Sequence, residues 1–190
     1  MKKRFLLCAL LILCMSFAVN STLAYFTADT QVHNVITTGE INIELVEMAE
    51  NDKGELVPFE DVDDVMPGRA VSKIVYVTNT GANDAYVRIK LDMVVELARE
   101  GEADLSLINL DLNTTAWTEK DGYYYYNKLL APNASTEPLF TEVTFDKQMG
   151  NVFQGSTVSI DVYAQATQVA NNGATALDAK GWPAAELPVA

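Results

Sequence analysis

Apolar and polar residues alternate with a period of two along much of this chain, the spacing that sends successive side chains to opposite faces of a half-buried strand. Ile41, Ile43 and Leu45 alternate with Asn42 and Glu44. Val87, Ile89, Leu91, Met93 and Val95 alternate with Arg88, Lys90 and Asp92, and Val158, Ile160, Val162, Ala164 and Ala166 with Ser159, Asp161, Tyr163 and Gln165. Leu139–Phe145 keeps Leu139, Val143 and Phe145 on one side, while Ile74-Val75-Tyr76-Val77 is apolar on both, as in a strand covered on both faces. Leu105–Leu112 is a further candidate. Leu91, Val94, Val95 and Ala98 also fit helical spacing, which gives Asp92–Gly101 a helical alternative; strand is predicted to about Val95.

Turn chemistry punctuates these runs. Pro67-Gly68 precedes Val71, Asn79-Thr80-Gly81 ends the next strand, Gly150-Asn151 precedes the last, and Asp121-Gly122 separates Trp117 from Tyr123–Tyr126. Asp-Gly suits a two-residue hairpin turn, in which both central positions need positive φ. Short strands at this spacing predict an all-β fold, an antiparallel β-sandwich with a few short helical turns in its loops. The segment Asn171–Ala190, rich in Ala, Asn and Gly with Pro183 and Pro188, is expected to be loosely ordered.

The N-terminus follows a different logic. Lys2-Lys3-Arg4, the apolar run Phe5–Val19 and small residues at Thr22 and Ala24 read as a signal peptide over residues 1–24, cleaved between Ala24 and Tyr25. The alternative, a membrane anchor, needs roughly 18 or more apolar residues, and this run is shorter. Cleavage leaves 166 of the 190 residues, one domain over 25–190, and removes the only cysteines, Cys8 and Cys14. A mature chain without thiols must hold together by core packing and backbone pairing outside the cell. With Lys2, Lys3 and Arg4 gone, ten basic residues face 26 acidic ones, a net charge of −16. That acidity argues against nucleic acid and anionic lipid as partners and makes any assembly of copies sensitive to salt and pH.

Little in the mature sequence supports catalysis. His33 is the only histidine, so the usual nitrogen and sulfur ligands of zinc cannot be gathered, and a Ser-His-Asp arrangement has no G-x-S-x-G to supply its nucleophile. No catalytic residue and no cofactor is assigned. The acidic run Glu60-Asp61-Val62-Asp63-Asp64 offers Asp61, Asp63 and Asp64 as a weak calcium candidate, although it lacks the glycine and distal glutamate of an EF-hand loop. In a strand, Tyr123 and Tyr125 share one face and Tyr124 and Tyr126 the other. One pair is expected to pack inward. The outer pair, with Trp117 opposite, is either a cross-strand aromatic cluster or a contact for another protein or a sugar, with Trp117, Tyr124 and Tyr126 as the candidate contact residues.

Three stretches resemble the TasA/camelysin family of secreted proteins from Gram-positive bacteria. The first is Ser21-Thr22-Leu23-Ala24-Tyr25-Phe26-Thr27 followed by Val35-Ile36-Thr37-Thr38-Gly39-Glu40-Ile41-Asn42-Ile43. The second is Met66-Pro67-Gly68-Arg69-Ala70-Val71 leading into Val75-Tyr76-Val77-Thr78-Asn79-Thr80-Gly81. The third is Phe153-Gln154-Gly155-Ser156 ahead of Ala164-Gln165-Ala166-Thr167-Gln168. Residues 97–150 carry less of the likeness. The resemblance implies a jelly-roll-like sandwich, processing by a dedicated signal peptidase, localisation to the extracellular matrix or cell surface, and self-association into biofilm fibres, with other matrix proteins as further partners. It also implies that the freed N-terminal segment adds as a strand to the next subunit. Residues 25–38, with Phe26, Ala28, Val32, Val35 and Ile36, are the donor candidate, and a first strand folded into its own sheet is the alternative. The metallopeptidase activity attached to the camelysin branch is not carried over, since the zinc motif is missing. An adhesion or accessory matrix protein is the remaining reading.

Overall fold

Ten strands form in a computed structural model that describes residues 41–60, 67–98, 100–150, 153 and 156–183, together with the backbone of 34–37. In chain order they are β1 (Asn34–Thr37), β2 (Ile43–Glu50), β3 (Leu56–Pro58), β4 (Ala70–Asn79), β5 (Ala85–Glu96), β6 (Ile108–Leu110), β7 (Trp117–Lys120), β8 (Tyr123–Tyr126), β9 (Phe140–Phe145) and β10 (Thr157–Gln168). They make two five-stranded sheets, ordered β1-β10-β5-β8-β7 and β3-β2-β4-β9-β6. All neighbours are antiparallel except β1, which runs parallel to β10. The expected all-β sandwich is therefore present, and helical backbone among the described residues is confined to the short turn Leu105–Leu107 and to Phe153.

The alternating residues meet between the sheets, where each buries its apolar face against the other. Leu45 of β2, Val75 and Val77 of β4, and Phe140, Val143 and Phe145 of β9 come from one side; Val87 and Ile89 of β5 and Val162, Ala164 and Ala166 of β10 come from the other. Ile41 and Leu139, just outside their strands, are buried with them. The reading of β4 needs one correction. Val75 and Val77 are fully buried, but Ile74 and Tyr76 on the opposite face are only half covered. The predicted strand over Leu105–Leu112 divides into the helical turn and β6. The helical alternative after Asp92 is not taken, since Met93, Val94, Val95 and Glu96 pair with Ile160, Ser159, Val158 and Thr157 of β10.

Turn residues act where the sequence placed them. Asp121 and Gly122 have φ of 54° and 77°, the left-handed pair that a hairpin twisted like its flanking strands requires. Asn79 is completely buried and satisfied: its amide donates to the Asn83 carbonyl at 2.8 Å and the Leu130 carbonyl at 2.9 Å, while Gly81 N–H donates to its Oδ1 at 2.9 Å. A Cβ on Gly81 would lie 2.9 Å from the Asn42 nitrogen, so this turn tolerates no side chain there.

Between β6 and β9 a carboxylate holds the backbone. Asp111 accepts from Thr141 N–H and Glu142 N–H, both at 2.7 Å, and from Thr141 Oγ1 at 2.5 Å. Partial burial opposes its ionisation, but these hydrogen bonds prevail and hold its pKa below the ordinary value. The stabilisation it gives is thus present above the unfolded-state pKa and is lost as pH falls through the folded one. Asp111→Asn is expected to cost about 1–2 kcal/mol at neutral pH. In urea denaturation the gap to the parent chain should begin to narrow below about pH 4, the ordinary aspartate range, and close as pH falls through the lower folded-state pKa.

Candidate functional site

On its outer side β10 is paired, among the described residues, over four positions. Towards β5 all twelve of its residues are paired, from Thr157 opposite Glu96 to Gln168 opposite Ala85. Towards β1 only Tyr163, Ala164, Gln165 and Ala166 are paired, opposite Asn34, Val35, Ile36 and Thr37. Along Thr157–Val162 no described strand meets the backbone groups on that side. Such an edge is a template for strand addition, and Val158 and Ile160 in this stretch are partly buried against the core. Of the donor residues named from sequence, Val35 and Ile36 fall on β1, paired here within one chain. Phe26, Ala28 and Val32 lie outside the described residues, as do the cleavage pair Ala24 and Tyr25, His33, and the calcium candidates Asp61, Asp63 and Asp64.

The β7–β8 hairpin overturns the choice of contact residues. Trp117 and Tyr126 are directly opposed, 2 % and 4 % exposed, with ring centroids 5.1 Å apart, and Tyr124 packs on the same core. Trp117 and Tyr126 are enclosed, and Tyr124 is partly buried against them. The inward pair is Tyr124 and Tyr126 because Trp117 must bury its ring between the sheets, and in antiparallel register its partner faces the same way. The outer pair is therefore Tyr123 and Tyr125.

On that outer face stands a group that the sequence reading missed. Arg88, nearly buried, directs Nε to Gln165 Oε1 at 2.8 Å and Nη1 to the Tyr125 hydroxyl at 3.1 Å. Its guanidinium carbon lies 3.9 Å from the Tyr123 ring centroid, 5.8 Å from that of Tyr125 and 4.6 Å from that of Trp182. A buried cation is normally paired with a carboxylate; here aromatic faces and two neutral oxygens replace it. The available signal was the outward position of Arg88 in an alternating strand, opposite a hairpin whose tyrosines also alternate.

Trp182 belongs to the segment expected to be loosely ordered, and for Asn171–Pro183 that expectation is corrected. These residues fold back over the outer face of the first sheet, where Ala176 is buried with Tyr86 and Tyr125 and where Val169, Leu177 and Trp182 pack. Tyr86 donates its hydroxyl to the Gly173 carbonyl at 2.7 Å, Lys180 N–H donates to Asn172 Oδ1 at 2.7 Å, and Trp182 stands edge-on to Tyr125 at 5.7 Å. Apolar periodicity could not reveal the strap, because it is pinned by a few polar bonds and two aromatic contacts. At Gly173 a Cβ would lie 2.5 Å from the Asp178 carbonyl carbon and 2.6 Å from its oxygen. Gly173→Ala should accordingly lift the strap and shift tryptophan fluorescence to the red, a change reporting Trp182 because the other tryptophan, Trp117, is enclosed.

Among the described residues, no three histidine, cysteine or acidic side chains are grouped to hold a metal ion. Lys73, itself buried, pairs with Glu47 at 3.3 Å, has its ammonium 4.0 Å from the Phe59 ring centroid and braces the neighbouring strands β4 and β2. No family model, curated protein or solved structure matches this chain.

Proposed function

We propose that this protein is an exported structural subunit of extracellular fibres, assembled when the N-terminal segment of one copy adds as a strand to the β10 edge of the next. The observation that supports the reading is the outer neighbour of β10, which is N-terminal backbone: Asn34–Thr37 pairs in parallel with Tyr163–Ala166 at the edge of the first sheet. Carried back towards the N-terminus, the parallel register would set residues 28–33 against Thr157–Val162. A segment supplied by a neighbour satisfies the same backbone groups and joins two copies. Because donor and acceptor are different surfaces, the contact is head-to-tail and propagates into a filament.

The sequence adds three supports. The leader-like residues 1–24 would tether the segment until cleavage, the chain resembles fibre-forming secreted proteins at its N-terminal, middle and C-terminal stretches, and no residue set recommends an enzyme. Purified protein examined by electron microscopy across salt and pH is expected to form filaments, more readily where the repulsion between acidic copies is screened. Phe26→Asp combined with Val32→Asp should leave a folded monomer that makes none. Normal filaments from that variant would remove the donor assignment.

A further inference from the structure

We infer that the outer face around Tyr123 is a binding site for a carboxylated polysaccharide, with Lys90 and Lys120 meeting carboxylates on either side of an aromatic platform formed by Tyr123 and Trp182. Lys120 lies directly opposite Tyr123 across the hairpin. Arg88 is opposite Tyr125 and Ile89 opposite Tyr124, so the same register carried one residue further sets Lys90 opposite Tyr123 on its other side. The two lysines therefore flank the ring at a separation of roughly 10 Å, two strand spacings.

What singles this face out is the charge it leaves open. The whole chain carries 13 basic residues against 26 acidic ones, yet among the described residues no carboxylate comes within 4.0 Å of the charged groups of Arg88, Lys90 or Lys120. Asp92 and Asp161, opposed two register positions beyond Lys90 and Tyr163, end the cationic row without bridging to it. A lysine on β7 alone would be explained as protection of an edge strand, but Lys90 sits on β5, inside the sheet, where that purpose is absent. Arg88 is nearly buried and holds Tyr123 and Trp182 by their π faces, so the rings are fixed before a ligand arrives.

The chemistry of the occupant follows. Separated cations around half-exposed rings suit a polymer that offers an apolar ring face for stacking and a carboxylate at intervals, which is the description of a polyuronate. A nucleic-acid duplex would bring a negative charge about every 1.7 Å to a chain that is already acidic. An acidic peptide also supplies carboxylates, but not the regular repeat of a rigid ring face with a carboxylate on each unit.

The inference is independent of strand addition and is tested on purified protein at concentrations where it sediments as a monomer. Binding to polygalacturonate, neutral dextran and polyglutamate is measured by titration calorimetry at low and physiological salt. Polygalacturonate should bind, more weakly as salt rises, and dextran should not. Lys90→Gln with Lys120→Gln should weaken binding about tenfold or more, as expected for the loss of two charge-assisted contacts. Tyr123→Leu should weaken it at constant charge, and unchanged urea midpoints would establish that both variants fold. Failure of polygalacturonate to bind at low salt, equal binding by the lysine variant, or polyglutamate binding as tightly as polygalacturonate would overturn the assignment, the last in favour of an acidic protein partner.

Discussion

Replacing Trp117 by alanine is expected to destabilise the fold by about 3–5 kcal/mol, a large share of the roughly 5–15 kcal/mol that a domain of this kind has. The indole is 2 % exposed and fills the space between the sheets at the start of β7. Its Nε1–H donates to the Glu137 carbonyl at 3.0 Å, and its ring lies against Tyr126, whose hydroxyl bonds the carboxylate of the same Glu137. Truncation thus opens a cavity, orphans a carbonyl and loosens the residue that ties β7 and β8 to the 137 loop. Trp117→Phe keeps most of the volume but loses the donor, and should cost about 1–3 kcal/mol. Urea denaturation followed by circular dichroism checks both, and thermal midpoints should fall by about 2–4 °C per kcal/mol. An alanine variant within 1 kcal/mol of the parent would mean that Trp117 is not enclosed as described.

The second large effect concerns assembly. Val35→Pro with Ile36→Pro should abolish filaments while leaving the sandwich folded. Along a strand, alternate N–H groups point to a given neighbour, so two consecutive prolines remove one donor to β10 whichever side it occupies. β1 is a four-residue edge strand ahead of the core residues Ile41, Ile43 and Leu45, and those are untouched. The monomer should therefore keep its urea midpoint within about 1 kcal/mol, the range of ordinary surface changes. Electron microscopy and sedimentation read the first effect and denaturation the second. A variant that still polymerises, or that no longer folds, contradicts a role for this segment confined to joining copies.

Much of the scaffold was legible because period-two alternation is imposed by burial on one face. β5 and β10 announce themselves over long stretches, and the Asp121-Gly122 hairpin does so through turn chemistry. Sequence was a poorer guide where the determining contacts are non-local. Nothing local distinguishes Tyr123 from Tyr124 as the outward residue; register against Trp117 decides it. β3 is three residues long and relies on β2 for its pairing. The strap over Asn171–Pro183 reads as loose because its composition is that of a loop. What orders it is a distant surface, the exposed side of β5, β8 and β10, whose Tyr86, Arg88 and Tyr125 need covering. Arg88 was passed over for a related reason: an outward basic residue in a strand is ordinarily solvated, and only the fold brings three rings around it.

Strand exchange between copies can be measured directly by cross-linking. Val35 and Ala164 are register partners in β1 and β10, and cysteines at adjacent-strand partners come within the distance, about 4.4–6.8 Å between Cα atoms, that a disulfide spans. One preparation carries only Val35→Cys and another only Ala164→Cys, both with Cys8 and Cys14 absent or replaced by serine. Filaments grown from an equal mixture and oxidised should yield dimers linked through positions 35 and 164, identified by mass spectrometry, because each such bond must join different chains. Filaments in which the mixture gives no such link, while a chain carrying both substitutions closes the bond within itself, would contradict the account.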